Sequence, residues 1–354
     1  MSALASHTAG GRGWRTSGVP TRVLVAIDKF RSTATAQELR TTIRATLGDH
    51  FVCDEAILSD GGEGFRASFE GVTIAVPVRG PWGEEHEAPV TIALAAGERV
   101  AVLEVAEIVG RGFRDAPSPR EALDASSAGV ADALIAAVAR GVDRVVVGCG
   151  GSATSDGGEG FYDAWRDAVV PVALTAATDV TAAFLGAMRY AAQKGVASAD
   201  LPHLERRLRQ VAARYARERH RDVIEVPRTG AAGGLAGALY AVGADLVSGF
   251  DEVARLGGLR ERLAGADVVI TGEGRLDAGS LEGKVVAGVC ALTSPHQRVL
   301  VVCGAADTDA ARQLRGRHPW IHVEDLVARF GEVRARHETL ACVAEVVGDF
   351  TARG

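Results

Sequence analysis

The sequence predicts an α/β fold in two domains. A Rossmann- or flavodoxin-like parallel sheet is assembled from both ends of the chain, with a mixed α/β domain inserted between them. Three observations lead there. Short β-branched runs alternate with amphipathic stretches near both termini. Closely spaced strand-like runs fill the region after residue 70, which suits hairpins. The heptapeptide SDGGEGF at residues 59–65 recurs letter for letter at 155–161, and a third acidic glycine segment, TGEGRLD, spans 271–277. Each follows an apolar run, and open α/β sheets gather ligands at the carboxyl ends of their strands.

The elements follow in order. Residues 23–27 form a strand ending at Asp28, 34–47 an amphipathic helix, and 52–58 a second strand that delivers the first repeat. Runs at 72–78, 90–94 and 100–105 are strands, the first two joined by GPWGEE. A helix over 126–140 precedes a strand at 145–148 and the second repeat, and an arginine-rich helix with a solvated face covers 201–221. The glycine-alanine loop 230–234 opens a helix towards residue 242. A strand at 268–271, the third acidic segment, a helix from 283, a strand at 299–303 and helical segments complete the chain. The expected division is a leader over 1–20, one domain from 21–66 and 266–354, and an inserted domain over 67–265.

Composition excludes several classes. The 354 residues are 47% hydrophobic and 24% charged with a net charge of −6, so no basic field marks a nucleic-acid binder. Nor does any apolar stretch reach the roughly 18 residues of a membrane span. The five cysteines are far apart without a C-x-x-C pair, as suits reduced thiols in a cytoplasmic protein. The first twenty residues lack the apolar centre of a signal peptide.

Glycine lets a ligand approach bare backbone N–H groups, the means by which phosphate cradles are built. Carboxylates beside such loops suit Mg²⁺, which takes one or two acidic ligands and completes its shell with water and phosphate oxygens. Only three lysines occur among the 39 basic residues: Lys29, Lys194 and Lys284. Arginine serves wherever a generic cation suffices, which leaves these three as candidates for a compact ammonium on phosphate. Ser152 has no histidine near it in sequence and reads as a helix cap or phosphate contact.

Four segments carry a resemblance: GCGGSATSDGG (148–158), TGEGRLD with Gly283 and Lys284, DGGEG (60–64) and GAAGGL (230–235). In this order they resemble the type I glycerate kinase family, bacterial enzymes that phosphorylate D-glycerate with ATP, over residues 23–305. The chain departs from the family at several points. The family's opening Asp-Ser-Phe-Lys is Asp28, Lys29, Phe30 and Arg31 here, its Asn-Pro after Asp-Val-Thr is Ala182 and Ala183, and about thirty residues before that point are absent. The chain is thus similar to a shortened, divergent member.

The resemblance implies ATP and Mg²⁺ as cofactors, glycerate or a similar small hydroxy acid as partner, and a cleft between domains. Asp60 and Asp156 are the expected metal ligands. Asp28, Asp179 or Asp277 would take the hydroxyl proton, with Lys194 also in the catalytic set. Gly150, Gly151, Ser152 and Thr154, or Gly233 and Gly234, would cradle the nucleotide phosphates, helped by Glu273, Arg275 and Lys284. Lys29, Arg31 and Glu63 would hold the substrate. Two alternatives stay open: a kinase of a different hydroxy acid or polyol, and a degenerate homologue that binds a nucleotide or metabolite as a regulator. A homo-oligomer is compatible with either.

Overall fold

A computed structural model describes residues 20–353 except 31, 63, 167, 169–171, 282 and 283. The expected leader therefore lies outside the described residues save for Pro20, as do Arg31 and Glu63. The chain forms two compact units, one from the residues up to Ala56 with those from Leu259 onward, the other Ile57–Gly258. The repeat at 59–65 thus belongs with the second unit.

The first unit has a five-stranded, fully parallel sheet. Its strands are β1 (Thr21–Ile27), β2 (Phe51–Glu55), β9 (Val268–Leu276), β10 (Arg298–Ala306) and β11 (Ile321–Asp325), in the order β11-β10-β9-β1-β2. This is the doubly wound order in which the direction of winding reverses beside β1. Val23–Ile27 are all buried, as a strand covered on both faces requires. One face packs Val23, Val25, Ile27, Ile270 and Val302 against Leu39, Ile43, Val343 and Val346 from helices Ala36–Leu47 and Thr339–Ala352. The first of these helices starts at a capping box, with Glu38 N donating to Thr35 Oγ1 at 3.2 Å and Thr35 N donating to Glu38 Oε2 at 2.8 Å.

The second unit has a six-stranded mixed sheet of β3 (Val72–Arg79), β4 (Glu85–Ala95), β5 (Glu98–Glu104), β6 (Arg144–Gly148), β7 (Ala173–Thr178) and β8 (Asp245–Ser248), in chain order. The hairpin pairs β3–β4 and β4–β5 are antiparallel; β5 to β8 are parallel. Helices Ala128–Val138, Glu159–Trp165, Leu201–Arg219 and Leu235–Ala241 complete its core.

One expected loop is not a loop. TGEGRL continues β9 as far as Leu276, paired with β10 through Arg275 opposite Ala305 and Leu276 opposite Ala306. Gly272 is there for close approach and not for a turn: a Cβ would stand 2.1 Å from the Val302 carbonyl oxygen. The helix expected over 126–140 runs over Ala128–Val138, and a further short helix, Pro119–Asp124, precedes it. The stretch after β10, expected to be helical throughout, includes the strand β11. Its sequence, IHVED, is half polar because it is an edge strand.

Candidate functional site

In the second unit the chain turns into loops at the carboxyl ends of β6 and β7, and a cavity of about 190 Å³ opens there. Arg111, Gly150, Ser152, Asp179, Lys194 and Gly233 are among its lining residues. The volume lies below the roughly 300 Å³ of an ordinary ligand pocket. It has room for a phosphate-sized or three-carbon anion.

Lys194 is the buried cation of the cavity. Its Nζ donates to Ser152 Oγ at 2.9 Å and to the Thr154 carbonyl at 2.6 Å. Burial brings its pKa down to about 7; Asp156 and Asp179 draw it upward and Arg111 pushes it lower. The loop 230–234 seats the base of the cavity. Gly233 has φ +69°, and a Cβ on it would stand 2.0 Å from the Thr154 carbonyl oxygen, so the loop can lie on 152–155 only as glycine.

The first two acidic loops meet within this unit. A Cβ on Gly150 would stand 2.5 Å from Gly62 Cα. One on Gly62 would lie 3.1 Å from Asp60 Oδ1 and 3.7 Å from Asp179 Oδ2, so the two carboxylates flank one point of the backbone. Loop 59–65 is held from beneath by Glu104, which accepts from Gly64 N at 2.8 Å and Arg66 N at 3.0 Å, and whose pKa burial raises.

Asp156 turns away from the cavity lining. Its carboxylate accepts from Ser127 N at 2.9 Å, Ser127 Oγ at 2.8 Å, Gly158 N at 3.0 Å and Gly160 N at 3.2 Å, and the residue is 1% exposed. These donors include the first turn of helix Glu159–Trp165, so the anion attracted to that helix start is the protein's own carboxylate. Asp156, expected as a metal ligand, is instead turned to these backbone and hydroxyl donors. Gly234 likewise faces the interior, packed on Gly157.

A second cluster lies in the first unit, where the winding reverses between β1 and β9. Asp28 N donates to Gly272 O at 3.0 Å, which sets Asp28 beside Glu273. Asp28 Oδ1 accepts from Lys29 N at 2.7 Å. Asp277 Oδ1 accepts from Ser280 N at 3.2 Å and shapes the turn Ala278–Leu281, while the Arg275 carbonyl accepts from Ser280 Oγ at 3.2 Å. Glu273 Oε1 is buried without a hydrogen-bond partner. Burial raises the pKa of Glu273 to about 7; Ser280 and Lys284 oppose the rise, and the charges of Asp28 and Asp277 add to it.

A carboxyl held above its unfolded-state pKa stabilises the fold fully below that value of 4.5, and the contribution is lost as pH rises through about 7. Glu273→Gln is therefore expected to match the parent's melting temperature at about pH 5 and to exceed it at about pH 8.5, by roughly 2 kcal/mol of stability. A difference that stays constant over this range in thermal melts rules out a buried, proton-retaining carboxyl.

Among the described residues no group of three or more His, Cys, Asp and Glu is placed to hold a metal ion unaided, and no helix is long and apolar enough to cross a membrane. Arg111, Tyr190 and Gln193 line the cavity but carry no motif; Arg111 is one arginine among many.

These features define an α/β enzyme class with a small-anion cavity and an acid–lysine cluster at strand carboxyl ends. The Glycerate kinase family matches residues 23–166 and 162–345. The chain is 37% identical over 313 residues to an uncharacterized protein of Mycobacterium bovis, covering 81% of this chain and 80% of that one. It is 29% identical over 335 residues to the glycerate 2-kinase of Escherichia coli K12, covering 81% and 86%. A solved structure of a candidate glycerate kinase 2 from Salmonella typhimurium LT2 superposes with a TM-score of 0.71 at 26% identity, covering 94% of this chain and 98% of the other. The chain belongs to the glycerate kinase family and is a phosphotransferase.

Proposed function

We propose that the protein phosphorylates a small hydroxy acid, D-glycerate to 2-phosphoglycerate, with ATP as donor and Mg²⁺. The observation that carries this reading is the lysine–serine–glycine cavity at the ends of β6 and β7, which offers Lys194 and Arg111 to an anion of phosphate size. Phosphoryl transfer asks a protein for position and charge neutralisation above all. Lys194 and Arg111 neutralise the transferring group, and loop 150–154 orients it.

Asp60 and Asp179 fit Mg²⁺ better than the pair Asp60 and Asp156. Two carboxylates flank one backbone point there, and Mg²⁺ needs no more than that beside phosphate oxygens. Asp156 has spent its acceptor capacity on four donors, so we assign it to supporting the loop. The ion would supply charge neutralisation to the donor's phosphates. In the first unit, Glu273 has the chemistry for proton transfer near neutral pH, since its pKa lies there and one oxygen is unpartnered. Lys29 and Lys284 are the neighbouring cations for a carboxylate or phosphate.

Purified protein with Mg-ATP and a panel of hydroxy acids and polyols tests this, with the product's phosphorylated carbon read by phosphorus NMR. 2-Phosphoglycerate is the expected product. Product from another acceptor alone would replace the substrate, and nucleotide binding with no product from any acceptor would overturn the kinase reading. With activity in hand, Asp179→Asn is expected to raise the Mg²⁺ concentration for half-maximal rate about tenfold or more. An unchanged requirement removes Asp179 from the metal.

A further inference from the structure

The contact between Lys194 and Ser152 is more than neutralisation of phosphate requires. Ser152 is 3% exposed yet lines the cavity, and Lys194 Nζ stands 2.9 Å from its Oγ. That is the separation at which a base can take a hydroxyl proton. Both partners are fixed. Ser152 forms an isolated antiparallel bridge with Gly110, flanked by Arg111 N donating to Gly151 O at 3.0 Å and Ala153 N donating to Val109 O at 2.8 Å. Lys194 is anchored by its 2.6 Å bond to the Thr154 carbonyl.

A neutral amine has N–H groups to donate and one lone pair. As the ammonium, Nζ donates to both Ser152 Oγ and Thr154 O; once neutral, it keeps an N–H for Thr154 O and has a lone pair for the Ser152 O–H. Burial, helped by the charge of Arg111, outweighs the carboxylates of Asp156 and Asp179, which favour the ammonium, and leaves a large share of the amine neutral near pH 7. A serine beside a lysine base is a recurrent activated nucleophile. The sequence gives no hint of it, since the two residues are 42 positions apart.

We infer that Ser152 is a nucleophile, with Lys194 as its general base, and that it takes the terminal phosphoryl group of the nucleoside triphosphate to form a phosphoserine enzyme that then phosphorylates the acceptor. In the first half, the Oγ–P bond forms as the bond from that phosphorus to the bridging oxygen breaks. Nucleoside diphosphate leaves, and the serine proton passes to Lys194 Nζ. In the second half, the acceptor's hydroxyl oxygen bonds to phosphorus and the Oγ–P bond breaks. Lys194 returns its proton to Oγ, and the acceptor's hydroxyl proton goes to solvent. The donor in this sequence rests on the kinase reading proposed above.

The test incubates the full chain with Mg²⁺ and γ-labelled ATP without acceptor, then locates label by mass spectrometry. Near-stoichiometric phosphate on Ser152 is expected, discharged by glycerate, with the labelling rate rising with pH through about 7. Ser152→Ala should retain ATP binding and melting temperature, carry no label, and turn over about a hundredfold more slowly or worse. Lys194→Arg, which keeps the cation but not the base, should also fail to label. Parent protein that phosphorylates glycerate without ever labelling Ser152, or a Ser152→Ala variant within about threefold of the parent rate, overturns this inference and leaves the kinase reading intact. Label on Ser152 that no acceptor discharges overturns the phosphoserine as an intermediate and the kinase reading with it. Neither label nor product overturns both.

Discussion

Lys194→Met is expected to lower turnover by about a thousandfold, roughly 4 kcal/mol of transition-state stabilisation, in a protein that still folds. Methionine matches the length and apolar stem of the lysine, so the cavity wall survives while its cation and base are lost. The stability consequence has a sign that distinguishes this site from a surface lysine. The folded-state pKa of Lys194 lies at about 7, below its ordinary 10.5, so its contribution to stability is fully present above 10.5 and is lost as pH falls through about 7. The parent should therefore lose stability on acidification from about pH 8 to about pH 6 more steeply than the variant, which carries no charge to bury. Steady-state rates and melting curves over that range check both halves. Parent-like turnover, or parallel melting profiles, would remove Lys194 from the site.

Asp156→Asn is expected to act on the fold and not on the chemistry. The amide keeps the shape but presents an NH₂ where the carboxylate accepted, and four donors converge on that carboxylate. At least one donor is left unpaired in the interior, and a charge-assisted set becomes neutral. A loss of about 2–4 kcal/mol follows, or about 5–15 °C in the transition that reports the second unit. Residual folded protein should keep its rate within about tenfold. Unchanged melting with abolished turnover would return Asp156 to the metal or to the reacting atoms.

Much of the fold could be read from the chain because its signals are local. The β-branched runs of β1, β6 and β10 and the amphipathic stretch 36–47 carry their own periodicity. β7, with the sequence ALTAAT, does not: alanine is a poor strand former, and the segment is a strand because it is buried between β6 and β8. The repeats drew attention to the right loops, yet identical letters took different roles. Asp60 stays half-buried beside Asp179, whereas Asp156 was claimed by Ser127 and the helix behind it. That difference is tertiary, and no reading of SDGGEGF could assign it. The rarity of lysine marked Lys194, but its pairing with Ser152 depends on how loops 149–158 and 192–194 pack. Glu104, Arg111 and Glu273's unpartnered oxygen belong to the same category.

The pairing of β1 with β9 sets Val23 against Val268. On the ribosome, every residue of Ile57–Gly258 has been polymerised before β9 exists. The second unit is continuous in the chain and can mature while translation proceeds, whereas β1 and β2 must wait as an unpartnered pair with apolar faces uncovered. Nascent chains arrested once Gly258 has left the exit tunnel but β9 has not should therefore contain a protease-resistant core from the inserted segment while the amino-terminal strands are still digested.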